Sequence, residues 1–110
     1  MENEEIDNVL HNIAVLVECA TGVSLEEIRM EGHRTEKKSF ARGLILVCAR
    51  VKEIHPSKVA EFIHRSRPSV IITTQRYLDS MSIGDKEMLI YTEAILNLLN
   101  LHERNQQAHE

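Results

Sequence analysis

The sequence has little of what interrupts a helix or spans a membrane. Four glycines and two prolines occur in 110 residues, tryptophan is absent, and aromatic residues make up 4% of the chain. No apolar run approaches the roughly 18 residues that a membrane-spanning helix needs. Residues 1–5 are acidic where a secretory signal is basic, so we expect no targeting segment and a cytoplasmic protein. At this length we expect one folded domain, too small for a two-domain enzyme.

Residues that carry out catalysis or bind metals are also sparse. The two cysteines, Cys19 and Cys48, are too far apart for a disulfide framework, and we expect both to be small buried hydrophobic residues. The six histidines are scattered, with no pair at metal-ligand spacing beside a cysteine, so we expect no metal site. The sequence suggests no Ser-His-acid arrangement and contains no Gly-x-x-x-x-Gly-Lys-Ser/Thr phosphate loop. It therefore predicts neither an enzyme nor a bound cofactor.

Apolar residues recur at three- and four-residue spacing through long stretches of the chain, which is typical of amphipathic helices. Gly22 is positioned as a C-cap, and Ser24 with Glu27 predicts a capping box at the start of the second helix. Pro56 and Pro68 mark first helical turns, where proline is tolerated. We therefore predict an all-α fold of about six helices in one domain over 1–103. The helices span about 4–20, 25–30, 37–53, 56–63, 68–80 and 86–103, and 104–110 is a frayed polar tail.

The sequence predicts an inward face for the first helix (Ile6, Val9, Leu10, Ile13, Leu16 and Val17) and for the fourth (Val59, Phe62 and Ile63), as well as for the third and fifth. The buried residues expected from the third helix are Leu44, Ile45, Val47, Cys48 and Val51, and those from the fifth are Val70, Ile71, Thr74 and Leu78.

Charge is distributed unevenly along the chain. The net charge is -4, with seven acids and no base in residues 1–28, and six acids and two bases in residues 77–110. The segment between them carries about +7, because four acids stand among eleven bases. A polyanion would be attracted to this local positive field. The bases are Arg29, Arg34, Lys37, Lys38, Arg42, Arg50, Lys52, Lys58, Arg65, Arg67 and Arg76.

The fourth and fifth helices, about 56–80, match the helix-turn-helix pattern of two short helices joined by a turn of three or four residues. In that motif the first two turns of the second helix enter the major groove of DNA. The sequence predicts that Arg67 makes a bidentate contact to guanine, and that Ser69 and Thr73 contact bases or phosphates. A helical hairpin with a basic turn would show the same pattern without binding DNA, so both interpretations stay open on these residues alone.

A second group of polar and basic side chains is predicted to contact the DNA backbone. Lys37, Lys38 and Arg42 fit a solvated helix face equally well, although cations in a first turn match the helix dipole poorly unless an anion binds there. Ser66 is expected to be an N-cap first and a DNA contact second. The full predicted group is Arg34, Lys37, Lys38, Arg42, Arg65, Ser66 and Arg76.

Three stretches occur in an order and spacing found in one family. Residues 21–28 read Thr-Gly-Val-Ser-Leu-Glu-Glu-Ile, residues 32–35 form a basic loop before the long third helix, and residues 62–71 read Phe-Ile-His-Arg-Ser-Arg-Pro-Ser-Val-Ile. Together, residues 23–78 resemble the C-terminal DNA-binding domain of the bacterial replication initiator DnaA, in the Trp-repressor-like group of folds. That family has an aromatic-Gly-Val-Ser-x-Glu-Asp-Leu entry helix and a Gly-Arg-Asp-His-Ser/Thr-Thr-Val turn and recognition helix.

Within that turn motif Arg65, Ser69 and Val70 match, whereas residues 66–68 replace the family's Asp, His and Ser/Thr. The resemblance implies a DnaA-like fold that binds duplex DNA. It also implies that the loop around Arg34 approaches the minor groove or the phosphates while the recognition helix reads the major groove. Because the chain lacks a phosphate loop, the resemblance implies a stand-alone DNA-binding module and not an initiator.

The last helix is apolar around much of its circumference, which is more than one small core requires. Either it lies deep in the domain, or it pairs with a copy of itself or with another protein. We favour self-association. The apolar residues are Met88, Leu89, Ile90, Tyr91, Ala94, Ile95, Leu96, Leu98, Leu99 and Leu101.

These patterns predict a sequence-preferring protein that binds double-stranded DNA and regulates transcription or replication, in the cytoplasm and associated with the nucleoid. The alternative is a protein-interaction module that keeps the same fold and has lost DNA binding.

Overall fold

The computed structural model describes residues 2–30, 32 and 35–108 and contains six α-helices in that part of the chain. No strand occurs among the described residues, so the all-α prediction is confirmed. The helices are α1 (Asn3–Thr21), α2 (Leu25–Arg29), α3 (Glu36–Val51), α4 (Pro56–Ile63), α5 (Arg67–Ser82) and α6 (Lys86–Ala108).

The connection from α1 to α2 has the two caps that the sequence predicts. Gly22 ends α1 in the left-handed conformation, with φ of 78°, and its N–H donates to the carbonyl of Glu18 at 2.7 Å. Ser24 and Glu27 form the capping box: the Ser24 hydroxyl accepts from the Glu27 N–H at 3.2 Å, and the Glu27 carboxylate accepts from the Ser24 N–H at 3.5 Å. These bonds turn the chain sharply between the two helices.

Helix α3 lies at the centre of the fold, because it contacts all five other helices. It buries an almost continuous run of side chains, residues 43–49, so it has no wide solvent-facing side at its middle. Val51 was predicted to be buried, and this was wrong: its side chain is about half exposed. The helix ends at that residue, and the chain then turns through Glu53 in the left-handed region, with φ of 60°, before its neighbours can cover Val51.

Helices α3 and α5 approach each other closely at Gly43. A Cβ at residue 43 would lie 2.7 Å from two carbons of the Tyr77 ring, closer than any real Cβ contact. The Tyr77 hydroxyl donates to the backbone carbonyl of Ser39 at 3.0 Å, one turn earlier on α3. The missing side chain of Gly43 therefore makes room for the ring, and the hydrogen bond fixes where α5 crosses α3.

Helix α6 continues further than the sequence predicted. It runs to Ala108, so residues 104–108 are helical where a polar tail was expected. These residues include no glycine or proline that would end a helix. Immediately before them, the Glu103 carboxylate accepts from the Lys52 ammonium at 3.0 Å, which holds this end of α6 against the end of α3.

The two cysteines have different surroundings. Cys48 is buried in the core as predicted, and burial raises the pKa of its thiol to about 12. The prediction that Cys19 is buried was wrong: it lies on the exposed side of α1.

Among the described residues no group of three or more His, Cys, Asp or Glu side chains could hold a metal ion. No helix there is long and apolar enough to span a bilayer.

Candidate nucleic-acid interface

Helices α4 and α5 are joined by a three-residue turn, residues 64–66, whose hydrogen bonds fix its shape. His64 adopts the left-handed conformation, with φ of 58°, and its N–H donates to the carbonyl of Glu61 at 3.4 Å. The N–H of Arg65 donates to the carbonyl of Ala60 at 2.9 Å. This pair of bonds is a Schellman motif, which satisfies the last carbonyls of α4 while reversing the chain. Ser66 then opens α5 as its N-cap, accepting from the Ser69 N–H at 3.3 Å as predicted.

The amino end of α5 is open to solvent. Residues 66–69 are all exposed, and the first buried side chain of the helix is Val70. Arg67 stands at the first position of the helix, where the positive end of the helix dipole also lies. No described residue forms a hydrogen bond or ion pair with the Arg67 guanidinium. A negatively charged ligand can therefore approach this helix end without displacing another part of the described chain.

The outward face of α5 combines polar, apolar and basic side chains. Ser69, Ile72 and Arg76 follow one another at three- and four-residue spacing, all exposed, and Thr73 lies half-buried beside them. Ile72 is 59% exposed and was not among the contact residues predicted from the sequence. Its signal was present in the sequence, because residue 72 lies on the opposite side of the helix from the buried Val70 and Thr74.

The neighbouring residue Ile71 was predicted to face inward, and this was wrong, since it is about half exposed. It lies at the edge of a small apolar depression of about 70 Å³ between α3, α4 and α5, whose wall also includes Leu46 and Val59. The helices do not close completely over this edge.

Further along α5, the Gln75 side chain donates to the carboxylate of Asp79 at 2.9 Å, so the basic part of the outward face ends near Arg76.

Arg65 is committed to contacts within the fold. Its guanidinium donates to the carbonyl oxygens of Ile28, Arg29 and Met30 at 3.1, 3.3 and 3.2 Å, and to that of His64 at 3.0 Å. The first three acceptors are the carbonyls at the carboxyl end of α2, which lack partners within that helix. A phosphate contact by Arg65 would compete with these bonds. Its predicted backbone contact stays a prediction.

Arg29 makes the corresponding contact in the other direction. Its Nε donates to the carbonyl of Phe62 at 2.7 Å, and its guanidinium carbon lies 5.1 Å from the centre of the Phe62 ring. The two arginines together hold the end of α2 against the α4–α5 turn. Met30, which precedes the basic loop in the chain, therefore lies beside the α4–α5 turn. Arg34 lies outside the described residues, so its predicted contact with DNA is not addressed by the geometry.

The basic residues at the start of α3 do not all join this surface. Thr35 caps the helix by accepting from the Lys38 N–H at 3.1 Å. Lys38 and Arg42 are half-buried and one turn apart on the same side of α3. Arg42 is engaged in a further interaction of its own. Lys37 points elsewhere: its Nζ lies 3.5 Å from where a Cβ of residue 22 would be, at the carboxyl end of α1, which attracts cations.

The structure thus separates the predicted residues into three places. The first is the turn and outward face of α5, with Arg65, Ser66, Arg67, Ser69, Thr73 and Arg76. The second is the side of α3 with Lys38 and Arg42. The contact between Tyr77 and Ser39 places this part of α3 beside the middle of α5, ten residues or about 15 Å of helix from Arg67. Lys37 alone occupies the third place, at the end of α1.

Comparison with known proteins identifies no relative, since no family model, no curated protein and no solved structure matches the chain.

Proposed function

We propose that the protein binds double-stranded DNA through α4 and α5, acting as a helix-turn-helix with α5 as the recognition helix. The observation that carries the proposal is the exposed amino end of α5, where Arg67 has no described partner and residues 66–69 are open to solvent. A helix end of this kind combines the positive end of the helix dipole, exposed side-chain donors and a surface open to a ligand. A recognition helix that binds in the major groove of DNA requires all three. The resemblance to the DnaA domain supports the same role.

The side chains divide by the DNA groups that they suit. Arg67 suits the two acceptors on the edge of guanine, and Ser69 and Thr73 suit either a base or a nearby phosphate. The methyl groups of Ile72 suit the C5-methyl of thymine, the apolar group of the major groove. Arg76 lies further along the same face and suits a phosphate.

Cations beyond α5 would extend the contact along the DNA backbone. Lys38 and Arg42 on α3 and Arg34 in the preceding loop are assigned to phosphates. Lys37 contributes only if its side chain leaves the end of α1. A DNA-binding regulator of transcription or replication would act in the cytoplasm, on the nucleoid.

The proposal is tested by titrating a fluorescent mixed-sequence duplex with the protein at low salt and measuring anisotropy. We expect micromolar binding that weakens steeply with salt, with a log–log slope of about −0.9 for each phosphate contacted. Selection of bound duplexes from a random pool should then yield a preferred site. Absence of binding at low salt would refute the proposal.

A second function is favoured by a separate observation, the exposed apolar residues on the outer side of α6. On this alternative the chain keeps its fold and acts as a protein-interaction module. The same titration separates the two functions, because an interaction module without DNA affinity gives no anisotropy change at any salt concentration.

A further inference from the structure

Helix α6 has a second apolar side that the core does not use. Its inner side buries Met88, Thr92, Ile95 and Leu99. Its outer side exposes Ile90, Ala94, Leu98 and Leu101, which are separated by four, four and three residues. That spacing places all four on one continuous stripe of the helix. These four residues form the outer stripe of α6.

The outer stripe continues onto α1. Leu98, which is 53% exposed, lines an apolar groove of about 190 Å³ with Val15 of α1, and Val15 is also more than half exposed. With side chains of this size, the exposed fractions correspond to an apolar patch of roughly 400 Å², within the range of the largest patch on a typical monomer, which is often an interaction site. Two such patches with their rims approach roughly 1,000 Å², the lower limit for a specific interface. The area therefore fits a second copy of the chain.

The order of side chains along the outer stripe is complementary to itself when the helices run in opposite directions. If two copies of α6 pair about a point between residues 95 and 96, Ile90 lies opposite Leu101 of the second copy. The small Ala94 then lies opposite residue 97 of the second copy, one residue from the large Leu98, and this combination of small and large side chains lets the two helices approach closely. A parallel pair would instead set Ala94 against Ala94 and leave a gap between the helices.

Charge at the two ends of the helix favours the same direction. In the antiparallel pair Glu87 approaches Arg104 of the second copy, so unlike charges meet. A parallel pair would instead bring Glu87 close to Glu87 of the second copy and Arg104 close to its Arg104, so like charges would meet. Both side chains are exposed, and neither has a partner among the described residues. Glu103 is already paired with Lys52, so it adds no uncompensated charge near the contact.

We infer that the chain forms a two-fold symmetric dimer in which α6 packs antiparallel against α6 of a second copy, with Val15 at the edge of the contact. The dimer does not depend on DNA binding, because the outer stripe and the α4–α5 turn share no residue. An isologous interface of this kind closes on itself and gives a dimer and not a filament.

The first test is the molecular mass in solution, measured by sedimentation equilibrium over a range of protein concentrations. We expect the unmodified chain to be dimeric, and Leu98→Glu to raise the dissociation constant by about tenfold or more. Ile72→Glu is the matched control, since Ile72 is similarly exposed but lies on α5, and it should stay dimeric. Circular dichroism checks that both variants are folded. A monomeric parent chain, or equal dissociation of both variants, would overturn the inference.

The second test fixes the direction of the helices by disulfide cross-linking. The background is Cys19→Ser, because Cys19 is exposed, while Cys48 is buried and does not compete. Under mild oxidation, a mixture of Ile90→Cys and Leu101→Cys chains should form a cross-linked heterodimer, and neither variant should cross-link alone. Efficient cross-linking of Ile90→Cys with itself would contradict the antiparallel order, even if the chain is a dimer.

Discussion

Arg29, the last residue of α2, and Arg65, which follows α4, each donate to backbone carbonyl oxygens at the end of the other's helix. Arg29 Nε bonds to the carbonyl of Phe62 near the end of α4, and Arg65 bonds to three carbonyls at the end of α2, residues 28–30. Charged donors form stronger hydrogen bonds than neutral ones, and helix ends have unpaired acceptors. The exchange fixes the α4–α5 turn to the end of α2, through residues that are 33 to 37 positions apart in the chain.

This exchange predicts that two neighbouring arginines differ in what they stabilise. Arg65→Ala should lower the free energy of unfolding by about 1–3 kcal/mol, because it leaves the carbonyls of α2 without their donors. Arg67→Ala, at an exposed side chain with no described partner, should change it by no more than about 0.5 kcal/mol. Urea denaturation followed by circular dichroism measures both. Equal stability of the two variants would show that the exchange does not stabilise the fold.

The same Arg67→Ala variant should alter DNA recognition. On the preferred site we expect a loss of about 1–3 kcal/mol in binding free energy, with a smaller loss on mixed-sequence DNA, because a bidentate guanine contact discriminates between bases. Lys38→Ala is the comparison: a phosphate contact is independent of sequence, so it should weaken all duplexes alike and reduce the salt slope by about 1. Equal losses on both duplexes for Arg67→Ala would contradict its assignment to a base.

Gly43→Ala should destabilise the protein, although alanine is ordinarily the better helix former by about 1 kcal/mol. The added methyl would meet the Tyr77 ring at 2.7 Å, so we expect a net loss of about 1–3 kcal/mol from overpacking. A double-mutant cycle with Tyr77→Ala isolates the clash. In the Tyr77→Ala background the cost of Gly43→Ala should disappear. A cost that persists there would assign it to some other contact of Gly43.

Cys48 should make stability depend on pH in the alkaline range. Its pKa rises from 9.0 to about 12 because burial disfavours the thiolate, so folding keeps the thiol protonated. This contribution is fully present below pH 9 and is lost as pH rises from there towards 12, where the unfolded chain ionises first. Between pH 8 and 10.5 the parent chain should lose stability relative to Cys48→Ala.

A thiol reagent at pH 8 should modify Cys19 in the folded protein and both cysteines only in urea.

The helices could be predicted from sequence because their signals are local. Apolar spacing, the Gly22 cap, the capping box at Ser24 and the prolines at 56 and 68 each act within a few residues, and the structure confirms six helices in the part of the chain that it describes. The end of α6 was harder to predict, since residues 104–108 are polar but compatible with helix. A polar composition does not by itself end a helix.

The errors concern how neighbouring helices cover one another. Periodicity identifies the inward side of a helix but not how far its flanks are covered, which is why Val51, Ile71 and Cys19 were assigned to the core and are exposed. The role of Arg65 depends on where the end of α2 lies, and the chain separates the two by more than thirty residues. Sequence alone gave the candidate residues of α5, whereas their grouping, and the separation of Lys37 from them, required coordinates.

The central position of α3 limits how the chain can be divided. Helices α4 and α5 bury Val59, Phe62, Ile63 and Val70 in the common core. Exposing each such side chain to water costs about 1.5–3 kcal/mol of free energy. A peptide of residues 56–82 would therefore have no interior of its own. Transferring α4 and α5 to another scaffold would require α3 to be transferred with them, because α3 contacts all five other helices.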